Sequence, residues 1–118
     1  MIKTVLIISL LLFLPQVSYS HAYLIETHPE ETSVLTESPK QVTLHFLGFL
    51  EHVFSNVKVY NSAGSKVSKG TKLIDGEDGT VMGTRLNEDL KAGEYTVKWK
   101  CVSKDGHKQN GSYKFTLK

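Results

Sequence analysis

Residues 94–102 read EYTVKWKCV, and the alternation inside this stretch decides the fold. Tyr95, Val97, Trp99 and Cys101 fall on one side of an extended chain, and Thr96, Lys98 and Lys100 on the other. Residues 111–118, GSYKFTLK, repeat the pattern with Tyr113, Phe115 and Leu117. Residues 41–46, QVTLHF, put Val42, Leu44 and Phe46 on one face with Thr43 and His45 opposite, and residues 56–60, NVKVY, add a further segment closed by Asn61–Gly64. Asp75–Gly79 (DGEDG), Ala92-Gly93, Asp105-Gly106 and Asn110-Gly111 supply turn residues that tolerate positive φ. Half-buried antiparallel strands at this spacing predict an all-β fold, a β-sandwich or small Greek-key barrel. Residues 47–54, LGFLEHVF, fit a loop, a helical turn or a bulged strand equally well. Their expected role is local packing rather than docking.

The chain opens with Lys3, an apolar run from Val5 to Leu14, the breaker Pro15, and the small residues Ser18 and Ser20. That order is the layout of a cleaved secretory signal, expected over residues 1–20. The run is shorter than the roughly 18 residues of a membrane-spanning helix, and no later stretch resembles one. The single cysteine, Cys101, lies far from the leader, which argues against a lipoprotein and leaves no internal disulfide. Cleavage leaves residues 21–118, enough for one domain that buries more than half of its unfolded surface. Lys3 is the leader's one charged residue, so the mature chain carries one positive charge fewer than the +2 of the whole. Interspersed charges near neutrality argue against nucleic acid or an anionic membrane as the main partner.

Cleavage after Ser20 makes His21 the first residue. Its α-amine and imidazole Nδ1 can then close a six-membered ring around one metal ion, and a chelate loses less entropy per bond than two separate ligands. Unperturbed amines titrate near 8 and imidazoles near 6.5, so both can yield protons to a strongly binding metal at neutral pH. Nitrogen and oxygen donors in a tetragonal set favour Cu(II). Downstream, residues 102–112, VSKDGHKQNGS, supply Asp105 and His107 two positions apart, a spacing that sends both side chains to one side of extended backbone. Alone, such a pair is a weak signal, since Asp105-Gly106 is a good turn in its own right. With His21 it completes a set of two imidazoles, one amine and one carboxylate.

The start HAYLIETHPEETSVLTESPKQVTLHF and the end LKAGEYTVKWKCVSKDGHKQNGSYKFTLK resemble the CopC-like periplasmic copper resistance proteins. The resemblance covers nearly all of residues 21–118. It is most specific at His21-Ala22 and in the run from Gly93 through Trp99 to Asp105, Gly106, His107 and Gly111. It implies an immunoglobulin-like β-barrel of about seven strands that holds one Cu(II) per chain through His21, Asp105 and His107. Some members place Glu just after the Leu-x-Phe strand, where this chain has Gly48, with Glu51 as a candidate substitute; a proline often follows the second histidine, where this chain has Lys108. Members that also bind Cu(I) carry a methionine cluster, whereas Met82 is the one methionine beyond the leader. The resemblance therefore implies a periplasmic monomer, not an enzyme, that buffers or transfers Cu(II). A membrane copper transporter or another periplasmic copper protein is the expected partner.

Two other function classes compete. A histidine-brace copper oxidase also uses an N-terminal histidine, but it needs an open copper position and a flat aromatic face, whereas most aromatics here alternate inward. A metal-free immunoglobulin-like interaction module would leave the histidines incidental. His28 and His52 are expected to be ordinary surface residues and His45 a structural one. Trp99 is expected in the core, and Cys101 as a buried small hydrophobe rather than a redox thiol.

Overall fold

The computed structural model describes residues 22–76 and 79–118, so the leader expected over 1–20 and the ligand expected at His21 lie outside the described residues. Eight strands follow one another: β1 (Tyr23–His28), β2 (Val34–Leu35), β3 (Gln41–Leu47), β4 (Asn56–Tyr60), β5 (Ser68–Leu73), β6 (Val81–Leu86), β7 (Gly93–Val102) and β8 (Lys108–Leu117). The only helical element among the described residues is a single 3-10 turn at His52–Phe54. Two four-stranded sheets form, in the orders β1-β3-β6-β5 and β2-β8-β7-β4. The chain changes sheet after β1, β2, β3, β4 and β6, which makes an all-β, immunoglobulin-like Greek-key sandwich. The expected seven strands become eight because the two-residue β2 joins β8, and it does so in parallel.

The alternation read from the sequence is the alternation of burial. Val42, Leu44 and Phe46 from β3 meet Val57 and Val59 from β4, Tyr95, Val97 and Cys101 from β7, and Tyr113, Phe115 and Leu117 from β8. Tyr95 stacks on Phe115 with ring centroids 5.4 Å apart, and its hydroxyl donates to the Lys91 carbonyl four residues back. Cys101 is a free, buried thiol, and desolvation pushes its pKa up, which keeps it from acting as a thiolate. Trp99 is only half-buried, set edge-on against Phe46 at 5.6 Å.

β5 departs from the apolar pattern because its inward positions are used for hydrogen bonds. The Ser68 hydroxyl accepts from the Val59 N–H and the Thr71 hydroxyl from the Val57 N–H, each at 2.9 Å, and the Val67 N–H donates to the Val59 carbonyl at 2.8 Å. These bonds join β4 in one sheet to β5 in the other, so one side of the sandwich is laced shut.

Asn110-Gly111, expected as a turn, lies inside β8, opposite Lys100 and Trp99. The glycine is there for space: a Cβ on Gly111 would come within 2.6 Å of Trp99 Cζ2 and 2.9 Å of Nε1. Gly111→Ala is therefore expected to push the indole off its seat against Phe46 and to cost about 1–3 kcal/mol, as overpacking does. Thermal unfolding measures the cost. Fluorescence reports the displacement cleanly, because Trp99 is the chain's single tryptophan.

Burial also acts on Tyr113, whose pKa is pushed up to about 12, chiefly by desolvation, with the Thr27 side chain opposing the shift and Glu31 adding to it. Above about pH 10 the unfolded chain sheds the phenolic proton that the folded chain keeps, so stability is lost between pH 10 and 12. The slope for this group is about 1.4 kcal/mol per pH unit. Chemical denaturation across that range is expected to show this loss, and Tyr113→Phe to remove it.

Candidate metal centre

Asp105 and His107 lie in the short connection between β7 and β8, and the backbone around them is pinned at several points. Ser103, almost fully buried, bridges to Leu50 and donates its N–H to the His107 carbonyl at 3.0 Å. The Lys104 N–H donates to the Phe49 carbonyl at 3.2 Å, and the Gly106 N–H closes the turn on the Ser103 carbonyl at 2.9 Å. Gly106 holds φ +85°, the left-handed region that glycine enters without a steric penalty. The pair is thus brought together by a tight turn, not by the extended alternation that its spacing suggested.

Within the turn the Asp105 carboxylate is held by the Ser103 hydroxyl and by the His107 N–H at 3.4 Å. Its Oδ2 lies 2.8 Å from His107 Nδ1. The carboxylate is mostly covered while the imidazole is 60% exposed, so the histidine is the outward member of the pair. An imidazole whose Nδ1–H is given to a carboxylate presents Nε2 to a metal, and the carboxylate fixes both ring orientation and tautomer.

The segment 47–54 divides in two. Leu50 is fully buried, donates its N–H to the Gly79 carbonyl at 3.0 Å and bridges Ser103. Leu47, Phe49, Val53 and Phe54 are exposed, which corrects the expectation that the whole segment packs locally. Gly48, where the resemblance puts a carboxylate, has φ 109°. Glu51 instead ion-pairs with Lys104 at 3.4 Å, next to Asp105 in the chain. Tyr23, the first residue of β1, pairs with Leu47, so the described chain starts at the end of the sandwich from which residues 48–50 reach the β7–β8 turn.

The other histidines have the spacing of incidental surface and strand residues. His52 is exposed on the 3-10 turn, as expected. His28 is exposed too, yet its Nε2 lies 2.8 Å from Glu26 Oε1 and its ring stands edge-on to His45, with centroids 5.6 Å apart. Glu26, His28 and His45 each offer a donor atom within 4.8 Å of the others. Glu26 and His28 have the same two-residue spacing as Asp105 and His107, but their meeting with His45 depends on an irregularity in the pairing of β1 with β3, which the sequence does not mark.

The profile of the CopC domain matches residues 24–118. The chain is 34% identical to the "Copper transport protein CutJ" of Bacillus subtilis over 96% of its own length, but it spans only 21% of that much longer protein. It is 32% identical to "Copper resistance protein C" of Escherichia coli, over 77% of this chain and 82% of the relative. Among solved structures, CopC from Methylosinus trichosporium OB3b superposes with a TM-score of 0.73 at 33% identity, covering 82% of this chain and 93% of the other. PcoC, described as a methionine-rich copper resistance protein from Escherichia coli, gives 0.71 at 32% identity, with 83% and 99% covered. A matching profile over most of the sequence, joined to a shared sandwich fold, places this chain in the CopC family of copper resistance and transport proteins.

Proposed function

We propose that the chain, once its leader over residues 1–20 is removed, is a monomeric periplasmic protein that binds one Cu(II) tightly and passes it on by ligand exchange. The ligands are the amine and imidazole of His21 together with His107 and Asp105. The observation that carries the reading is the 2.8 Å contact between Asp105 and His107 Nδ1, in a turn pinned by Ser103, within a copper-handling family. That contact refines the role of the carboxylate. Asp105 holds the His107 ring through Nδ1, and on binding it exchanges that contact for one to the ion, whose positive charge its own charge offsets in part. All of these donors are nitrogen or oxygen, and Met82 is the one methionine beyond the leader, so Cu(II) rather than Cu(I) is the fitting cargo. The chemistry is binding and release, with no bond broken in a substrate. A membrane copper transporter or another periplasmic copper protein is the partner that gives or receives the ion.

A copper titration of the processed chain tests this. One tightly held Cu(II) with a nitrogen-rich paramagnetic resonance spectrum and no thiolate charge-transfer band is expected. Affinity should fall as pH is lowered, because protons compete for the imidazoles and the amine. His107→Ala should remove most of the affinity, and Asp105→Asn should cost at least the roughly 10–100-fold that follows damage to a ligand's surroundings, since an anionic ligand is lost. Equal and small losses from His107, Asp105 and His52 variants would mean diffuse surface binding and would defeat the proposal.

A further inference from the structure

A second set of donors stands on the outer face of the other sheet. β1 pairs with β3 through Leu24 opposite Phe46 but Glu26 opposite His45, so the register slips between Leu24 and Glu26. Had the pairing run on without this bulge, Glu26 would oppose Leu44, and His28 would oppose Val42, on the core side of the sheet. The bulge turns them over. Glu26 and His28 emerge on the His45 face, as bulges commonly re-aim side chains.

The result is two imidazoles and one carboxylate on two adjacent strands, with their donor atoms all within 4.8 Å of one another. Bonds of about 2.0–2.1 Å to nitrogen and oxygen place neighbouring ligands about 3.3 Å apart, so shifts of about 1.5 Å or less in the side chains would close the set around an ion. Glu26 and His28 side chains are about half exposed, at 56% and 53%, and have the freedom to make them. The face points away from the β7–β8 turn, which belongs to the opposite sheet. An ion here cannot share the ligands Asp105 and His107.

We infer that Glu26, His28 and His45 form a second divalent-metal site, suited to borderline cations such as Zn(II) and Cu(II). Binding replaces the His28–Glu26 hydrogen bond by two metal bonds, and the imidazole keeps its one proton on the ring nitrogen that does not face the ion. With three protein donors and solvent in its remaining positions, the site holds its ion more weakly than the four-donor set, and exchanges it faster. The carboxylate leaves a loaded site with a charge of only +1.

The experiment uses the chain with one glycine added before His21 and with His107→Ala, so that neither the amine chelate nor the β7–β8 turn competes for the ion, and Zn(II) alone as the probe. Imidazole signals of His28 and His45 in nuclear magnetic resonance spectra should move together and saturate at one equivalent of zinc. His28→Gln and His45→Gln, each added singly, should weaken zinc binding by about tenfold or more while leaving the rest of the spectrum dispersed. These are substitutions on the outer face of the sheet, and the preserved dispersion separates loss of the site from loss of the fold. Unmoved His28 and His45 signals at saturating zinc, or zinc binding unaffected by either glutamine, would overturn the inference. A copper titration of the unsubstituted chain supplies a separate count, with a second, weaker equivalent expected that vanishes in the His28→Gln, His45→Gln double variant.

Discussion

A chain beginning at His21 is expected to bind Cu(II) far more tightly than the same chain lengthened by a single glycine at its N-terminus. In the lengthened chain the nitrogen of His21 belongs to an amide, whose lone pair is delocalised into the carbonyl and whose proton is hard to displace. At the free terminus it is an amine, which gives up its proton near neutral pH to a strong metal and closes a chelate with Nδ1. The added glycine leaves all five histidines in place and changes no charge. The loss should therefore reach or exceed the upper end of the roughly 10–100-fold range that accompanies damage to a ligand's surroundings, since here a ligand itself is removed. Competition against a chelator of known strength measures it. Equal affinities would eliminate the amine as a ligand, and would make His21 an accident of cleavage. The same chemistry implies that the chain with residues 1–20 still attached, the precursor under the proposed function, does not hold copper tightly.

Leu50→Ala is the substitution expected to damage both the fold and the β7–β8 turn that carries the candidate ligands. Leu50 is completely buried, and the backbone on either side of it is tied to three different places: to Gly79 by its own N–H, to Lys104 through the Phe49 carbonyl, and to Val102 through the Glu51 N–H at 2.7 Å. Truncating a buried leucine costs about 2–5 kcal/mol, through lost burial and the cavity left behind. At about 4–8 °C per kcal/mol for a domain of this size, the melting temperature should drop by about 8 °C at the least. The bridge between Leu50 and Ser103 loosens at the same time, and Ser103 is the residue that holds both Asp105 and the His107 carbonyl. Copper affinity should therefore fall even at temperatures where the variant is fully folded. Val53→Ala, on a residue 81% exposed in the same segment, should change neither. Unfolding followed by circular dichroism, with copper competition at low temperature, separates the two effects.

How legible the fold was depended on what each strand does with its inward positions. β3, β4, β7 and β8 spend them on apolar side chains, and their alternation could be read directly. β5 spends Ser68 and Thr71 on the backbone of β4, so its hydrophobic signal is absent although the strand is as much a part of its sheet as its neighbours. Gly111 misled for a related reason: glycine signals a turn by its backbone freedom, but here it is required by the bulk of Trp99 across the strand pair. The candidate metal centre was legible in part. The two-residue spacing of Asp105 and His107 identified the pair, whereas the turn that joins them and the orienting contact to Nδ1 needed the register of β7 against β8 and the bridge to Leu50. Glu26, His28 and His45 were hidden, since a strand bulge reverses which face each side chain takes and no local pattern marks where the slip falls.

The hydroxyl lacing between β4 and β5 bears on a different matter, the company this protein keeps with its own copies. A strand at the rim of a sheet offers unpaired N–H and C=O groups to any other rim, and the usual outcome of an unguarded one is aggregation. β4 and β5 are the outermost strands of their sheets on the same side, and each closes the other through Ser68, Thr71 and the backbone bond from Val67 to Val59. On the opposite side the rims are β1, interrupted by its bulge, and β2, only two residues long. Neither presents a straight ladder to a second copy, so the described sandwich is guarded along every rim of its two sheets.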